Sequence, residues 1–116
     1  MKDERRTMMK LSELCEKLSL TVIAGDTDAV FEGVYAGDLL SRAMSHVEAE
    51  NLWITIMSNI NVIAVASLTE AAAVLLAEDV ELVPEALEAA RAKDITVLSS
   101  SLTVYELCVK IGEFAS

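Results

Sequence analysis

Aromatic side chains make up only 4% of this 116-residue chain, and cysteine occurs twice. With so few rings, a chain that is 53% apolar must build its core from Ala, Val, Leu and Ile, a composition that suits an α/β fold or a helical bundle. The two cysteines, Cys15 and Cys108, lie far apart with no CxxC or Cys/His spacing, which argues against an iron–sulfur or zinc site within one chain. Both fall on apolar faces of predicted helices and read as packed thiols, with a pairing between two copies as the lesser alternative. Basic residues are also scarce, 9 Lys and Arg against 19 Asp and Glu, for a net charge of −10. From Asp26 to Glu88 twelve carboxylates face a single Arg42. Such a stretch repels phosphate backbones, so nucleic acid is not an expected partner.

Long apolar runs are missing too. A membrane-spanning helix needs about 18 uninterrupted apolar residues, and the best candidates are broken by Asn59, Asn61, Thr69 and Glu70. The N-terminal MKDERRTMMK is not followed by a signal-peptide core or a cleavage site of small residues. A cytoplasmic protein is expected, with no membrane partner. Residues 1–9 read as a charged, flexible leader, with Met8 or Met9 as alternative start sites, and residues 10–116 as one domain. No internal repeat, low-complexity segment or linker interrupts it.

What is present alternates between two periodicities. Leu11, Leu14, Cys15 and Leu18 form one helical face after a start near Ser12 and Glu13. LTVIAG (20–25) is strand-like, and a polar loop from Asp26 runs on towards Gly33. A short strand from Val34, a turn at Gly37 and a helix capped by Asp38 follow; Leu39, Leu40, Ala43, Met44 and Val47 share one face of that helix, with His46 outward or at its edge. LWITIM (52–57) is apolar on both faces, as in a central strand of a parallel sheet. NVIAVASL (61–68) is ambiguous by periodicity alone and is read as a buried helix capped by Asn59 or Asn61.

Signals conflict after Ser67. Ser67 and Glu70 form a capping-box pattern ahead of AAAVLLAED, which is helical by propensity, whereas strand–helix alternation makes AAVLLA (72–77) the next buried strand. Alternation is preferred. Pro84 then opens a helix, ITVLSS (95–100) is another strand, and Thr103 with Glu106 forms a capping box for the last helix. The expected architecture is α/β: a single domain with a mostly parallel sheet of about 4–5 strands and helices on its faces.

The ordered set GVYAGDLLSRAM, LWITIMSNINVIAVASLTEAAAVLL, PEALEAARAKDITVLSS and LTVYEL resembles the DRTGG domain, a family similar to the N-terminal domain of HPr kinase. Gly33, Gly37, Asp38, Leu39 and Leu40, with Trp53, Thr55, Asn61, Ala64 and Ala66, carry the most specific part of it. The string that names the family is absent. The resemblance implies an accessory α/β domain of the kind found beside CBS domains in regulated pyrophosphatases, where it regulates or mediates dimer contacts. It also extends to short stand-alone proteins encoded near iron-only hydrogenases. It implies no catalytic residues.

The residues themselves point the same way. No glycine begins a GxxxxGK[ST] motif and no GxSxG elbow is present, so neither kinase nor hydrolase chemistry is expected, and no cofactor. Asp26, Asp28 and Glu32 lack the glycine and ligand count of a calcium loop, so no metal is expected. Ligands of open α/β sheets sit beyond the carboxyl ends of the strands. That edge should gather Asp38, Ser58, Asn59, Asn61, Ser99, Ser100 and Ser101, able to hold a phosphate, a nucleotide or another small polar metabolite, or simply to cap and turn. A mean hydropathy of +0.44 in so charged a chain suggests apolar surface covered by a second copy or another protein. The function expected is a homodimeric, non-enzymatic regulatory or interaction domain, and the resemblance implies an accessory to hydrogenase or energy metabolism. Small-ligand sensing is the alternative.

Overall fold

The computed structural model describes residues 8–114. Its main sheet has five strands, β2 (Thr21–Ala24), β4 (Val34–Ala36), β5 (Leu52–Thr55), β6 (Ala73–Leu76) and β7 (Val97–Ser99). They lie in the order β2-β7-β6-β5-β4. β4, β5, β6 and β7 are parallel neighbours, and β2 closes one edge antiparallel to β7. A separate ribbon pairs β1 (Met8–Lys10) with β3 (Val30–Glu32). The expected mostly parallel α/β sheet is therefore present, in one domain.

Helix placement follows from handedness. Each step from β4 to β5, β6 and β7 moves the same way across the sheet, so right-handed crossovers must lay α2 (Leu40–His46), α3 (Ile60–Thr69) and α4 (Pro84–Ala92) on one face. That face buries Trp53, Val74, Leu76 and Val97 against Ala43, Val62, Ile63, Ala66, Ala86 and Ala90. The alternate residues Leu52, Ile54, Leu75 and Leu98 point the other way. There α1 (Leu11–Leu18) and α5 (Val104–Phe114) cover them with Leu11, Leu14, Leu107 and Ile111, and Phe31 of the ribbon joins in. Two apolar cores on one sheet explain why β5 and β6 read as unbroken apolar runs.

Local expectations fare unevenly. Residues 72–77 contain a strand despite their helix-forming composition, because every residue of β6 is fully buried between two parallel neighbours. Thr103 and Glu106 do form a reciprocal capping box, with Glu106 N donating to Thr103 Oγ1 at 3.1 Å and Thr103 N to Glu106 Oε1 at 3.0 Å. Asp38, however, does not cap α2. Leu39 holds the cap position and no side chain caps it. The apolar face assigned to α2 is split as well: Ala43 and Val47 are buried, whereas Leu39 is 63% and Met44 44% exposed. Met8 and Met9, placed at the end of the leader, belong to β1, and β3 occupies part of the predicted polar loop. The rest of the leader, residues 1–7, lies outside the described residues.

Candidate functional site at the carboxyl edge of the sheet

Four parallel strands put four carboxyl ends, and the loops that leave them, on one edge of the sheet. At the β4–β5 end, Asp38 Oδ1 accepts from the Thr55 hydroxyl at 2.7 Å and from Ile56 N at 3.0 Å, while Thr55 Oγ1 accepts from Met57 N at 3.1 Å. Thr55 is fully buried. The carboxylate thus braces the end of β5 and satisfies the buried Thr55 hydroxyl, a donor that would otherwise be stranded. Next to it, Asn59 Oδ1 accepts from Asn61 N at 2.9 Å and caps α3. Ser58 takes part through its carbonyl, which accepts from Val83 N at 3.1 Å. The Asn61 side chain is exposed and, among the described residues, makes no hydrogen bond.

The serines lie elsewhere on the same edge. Ser100 is buried, its Oγ accepting from Leu102 N at 3.0 Å and its carbonyl from Asp79 N at 2.8 Å. Ser101 is exposed and Ser99 half-buried. Asp38, Ser58, Asn59 and Asn61 therefore form one group and Ser99, Ser100 and Ser101 another. Two strand spacings, about 10 Å, separate β5, which Ser58, Asn59 and Asn61 follow, from β7, and Asp38 after β4 is one strand further away, with β6 and its loop between. They do not converge on a single point.

Between the second group and α4 lies a cavity of about 310 Å³ lined by Ile23, Val80, Glu81, Leu82, Leu87 and Ser99. The chain leaves β6 for α4 on one face and β7 for α5 on the other, so this is the crevice that open α/β sheets present to ligands. Only Ser99 of the expected residues reaches it. Ile23, Val80, Leu82 and Leu87 are apolar residues with no local mark of a site, and the antiparallel pairing that brings Ile23 beside β7 has no local signal. The chemistry of the crevice is not that of a phosphate site: Glu81 is at its lining, Pro84 at the first turn of α4 has no N–H, and Glu85 adds a carboxylate there. The loop above it contains Glu78 and Asp79 at φ of 60° and 57°. Their amides are tied to Leu102 O and Ser100 O at 2.9 and 2.8 Å.

Other reactive groups are accounted for by packing. Cys15 and Cys108 are half-buried against the α1–α5 core, and burial pushes both thiols up from 9.0, which makes them poor nucleophiles. Cys108 also lines an apolar groove of about 260 Å³ with Val34, Ala36, Ile111 and Gly112. His46 is exposed and stacks on Tyr35 at 6.3 Å between ring centres. Its Nδ1 lies 3.0 Å from the hydroxyl of Ser45, its neighbour in sequence, and 3.0 Å from Arg42 O. A serine and histidine on the outside of a short helix, with one ring nitrogen facing both the hydroxyl and a backbone carbonyl and, among the described residues, no acidic group orienting the base, lack the arrangement of a nucleophilic site. Among the described residues no group of three or more His, Cys, Asp or Glu could hold a metal ion. None of the described helices is long and apolar enough to cross a membrane.

No family model matches the chain, and no curated protein does. Its fold does have a solved counterpart: the CBS and DRTGG domains of the regulatory region of Clostridium perfringens pyrophosphatase, crystallised with the activator diadenosine tetraphosphate. The two superpose with a TM-score of 0.76 at 15% identity, over 90% of this chain and 46% of that one. The chain thus has a DRTGG-like fold, and it spans about half the length of that regulatory region.

Proposed function

We propose that the chain is a non-enzymatic regulatory domain that acts through protein contact, as a homodimer in the cytoplasm. One observation carries the reading: Asp38, Asn59 and Ser100 of the carboxyl edge are spent on Thr55 and on the protein's own backbone, in two separate groups, so among the described residues the edge offers no convergent acid, base and nucleophile. The likeness to a regulatory region supports it. So do the large apolar side chains left on the surface, among them Leu39 and Leu68 at 63% and 70% exposed. Such a domain would modulate an enzyme it binds; the hydrogenases implied by the sequence resemblance are the first candidates for that role. Native mass spectrometry of the purified protein tests the homodimer directly, and a spectrum showing only the 12.5 kDa chain would sink it.

Small-ligand sensing is a second reading, favoured by the crevice at β6 and β7 and by the nucleotide bound in the pyrophosphatase regulatory region. The apolar lining, one hydroxyl and an acidic residue suit an uncharged or cationic group better than a phosphate, so any phosphate would have to sit along the edge towards Asn59 and Asn61. A thermal-shift screen of adenine nucleotides and of small amines against the wild type and the Asn61→Ala variant separates the two positions. No shift with any of them would count against sensing.

A further inference from the structure

The three helices of the α2–α4 layer do not present the same kind of surface to solvent. α4 exposes Glu85, Glu88 and Arg91, and α2 exposes Arg42 and His46. α3, between them, exposes Ile60, Asn61, Ala64 and Leu68. Ile60 is 47% and Leu68 70% exposed, and Met44 of α2, with which α3 packs, is 44% exposed. No charged residue occurs anywhere from Asn51 to Thr69, in a chain that has 19 carboxylates. A helix apolar on all sides is normally buried on all sides, yet this one has a free face.

Charge decides what can cover that face. Two copies of a chain with net charge −10 repel each other through most of their surfaces, and the outer face of α3 is where they can meet without opposing carboxylates. We infer that the outer face of α3 is the contact between two copies of this chain, with α3 and its counterpart antiparallel across a two-fold axis at Ala64. The spacing suits that arrangement: Ile60 and Leu68 lie four residues to either side of Ala64, so each Ile60 meets the partner's Leu68 while the small Ala64 lets the helices approach. Met44 flanks the contact. The inference rests on the homodimer reading and specifies its surface.

The test compares wild type with Leu68→Glu and Ala64→Arg by analytical ultracentrifugation, with circular dichroism melts to confirm that both variants are folded. Both positions are exposed, so the folded monomer accommodates either change. Opposing like charges across the axis should raise the dimer dissociation constant about 100-fold or more. An Ala64→Cys variant adds a geometric readout. Mild oxidation should give a disulfide-linked dimer through the axis, whereas Cys15 and Cys108 sit on the opposite side of the sheet and should not link. A dimer unchanged in both charge variants would overturn the α3 contact and leave the homodimer reading standing. A monomeric wild type would overturn both, and the face would then belong to a different protein.

Discussion

At the scale of single residues, Asp38 shows how a carboxylate can look like a ligand and serve as a brace. It is exposed, yet its Oδ1 holds the hydroxyl of fully buried Thr55 and the amide of Ile56. Asp38→Ala should therefore destabilise the fold by roughly 1–3 kcal/mol, since it strands a buried donor. Asp38→Asn, which keeps an acceptor oxygen, should cost less. Urea titrations of both variants check the order, and a negligible loss in Asp38→Ala would show that the brace is unimportant. The cysteines make a prediction of the opposite electrostatic kind. Burial raises both folded pKa values above 9.0; the folded state therefore favours the neutral thiol more than the unfolded chain does. Their contribution to stability is complete below the unfolded value and is lost as pH rises through the folded one. A melting-temperature series between pH 8 and 10.5 should show a decline that Cys15→Ala and Cys108→Ala together reduce. A decline identical in the double variant would assign it to other groups.

At the scale of elements, the turn after β6 has a conformation its residues do not favour. Glu78 and Asp79 are both left-handed, and Val80 N donates back to Ala77 O at 3.2 Å, the form of a type I′ turn. That turn prefers Asn-Gly. Asp79→Gly should therefore stabilise the protein by about 1 kcal/mol, read as a higher urea midpoint with unchanged slope. A loss of stability would mean that the Asp79 side chain has a role beyond the turn. Elements were legible in the sequence where their signals are local: the Thr103–Glu106 capping box, Pro84 opening α4 and the apolar run of β5 each specify themselves. β6 was readable only through topology, because its Ala and Leu residues favour a helix in isolation. The crevice was not legible at all. Ile23, Leu82 and Leu87 carry the same pattern whether they line a cavity or fill a core, and only the antiparallel docking of β2 distinguishes the two. For the same reason the helix of Leu39 and Met44 was recognised while their exposure was not: α2 turns Ala43 and Val47 inward.

At the scale of the whole molecule, charge and apolar surface oppose each other, and salt acts on the two differently. With a net charge of −10 and twelve carboxylates against one arginine from Asp26 to Glu88, self-repulsion works against both the compact state and the association of copies. Raising ionic strength from 0.01 M to 0.15 M shortens the screening length from about 30 Å to about 8 Å, less than the size of the molecule, whose extents are 38 × 30 × 25 Å. The melting temperature should therefore rise with sodium chloride over that range. Association should strengthen as well, because an uncharged contact between two acidic bodies loses only repulsion when salt is added. An interface built on ion pairs would weaken instead. Sedimentation at both salt concentrations distinguishes the cases: a dimer that tightens with salt fits the α3 face, whereas one that dissociates points to Arg42, Arg91, Lys93 or other cations pairing with the acidic surface of a second copy.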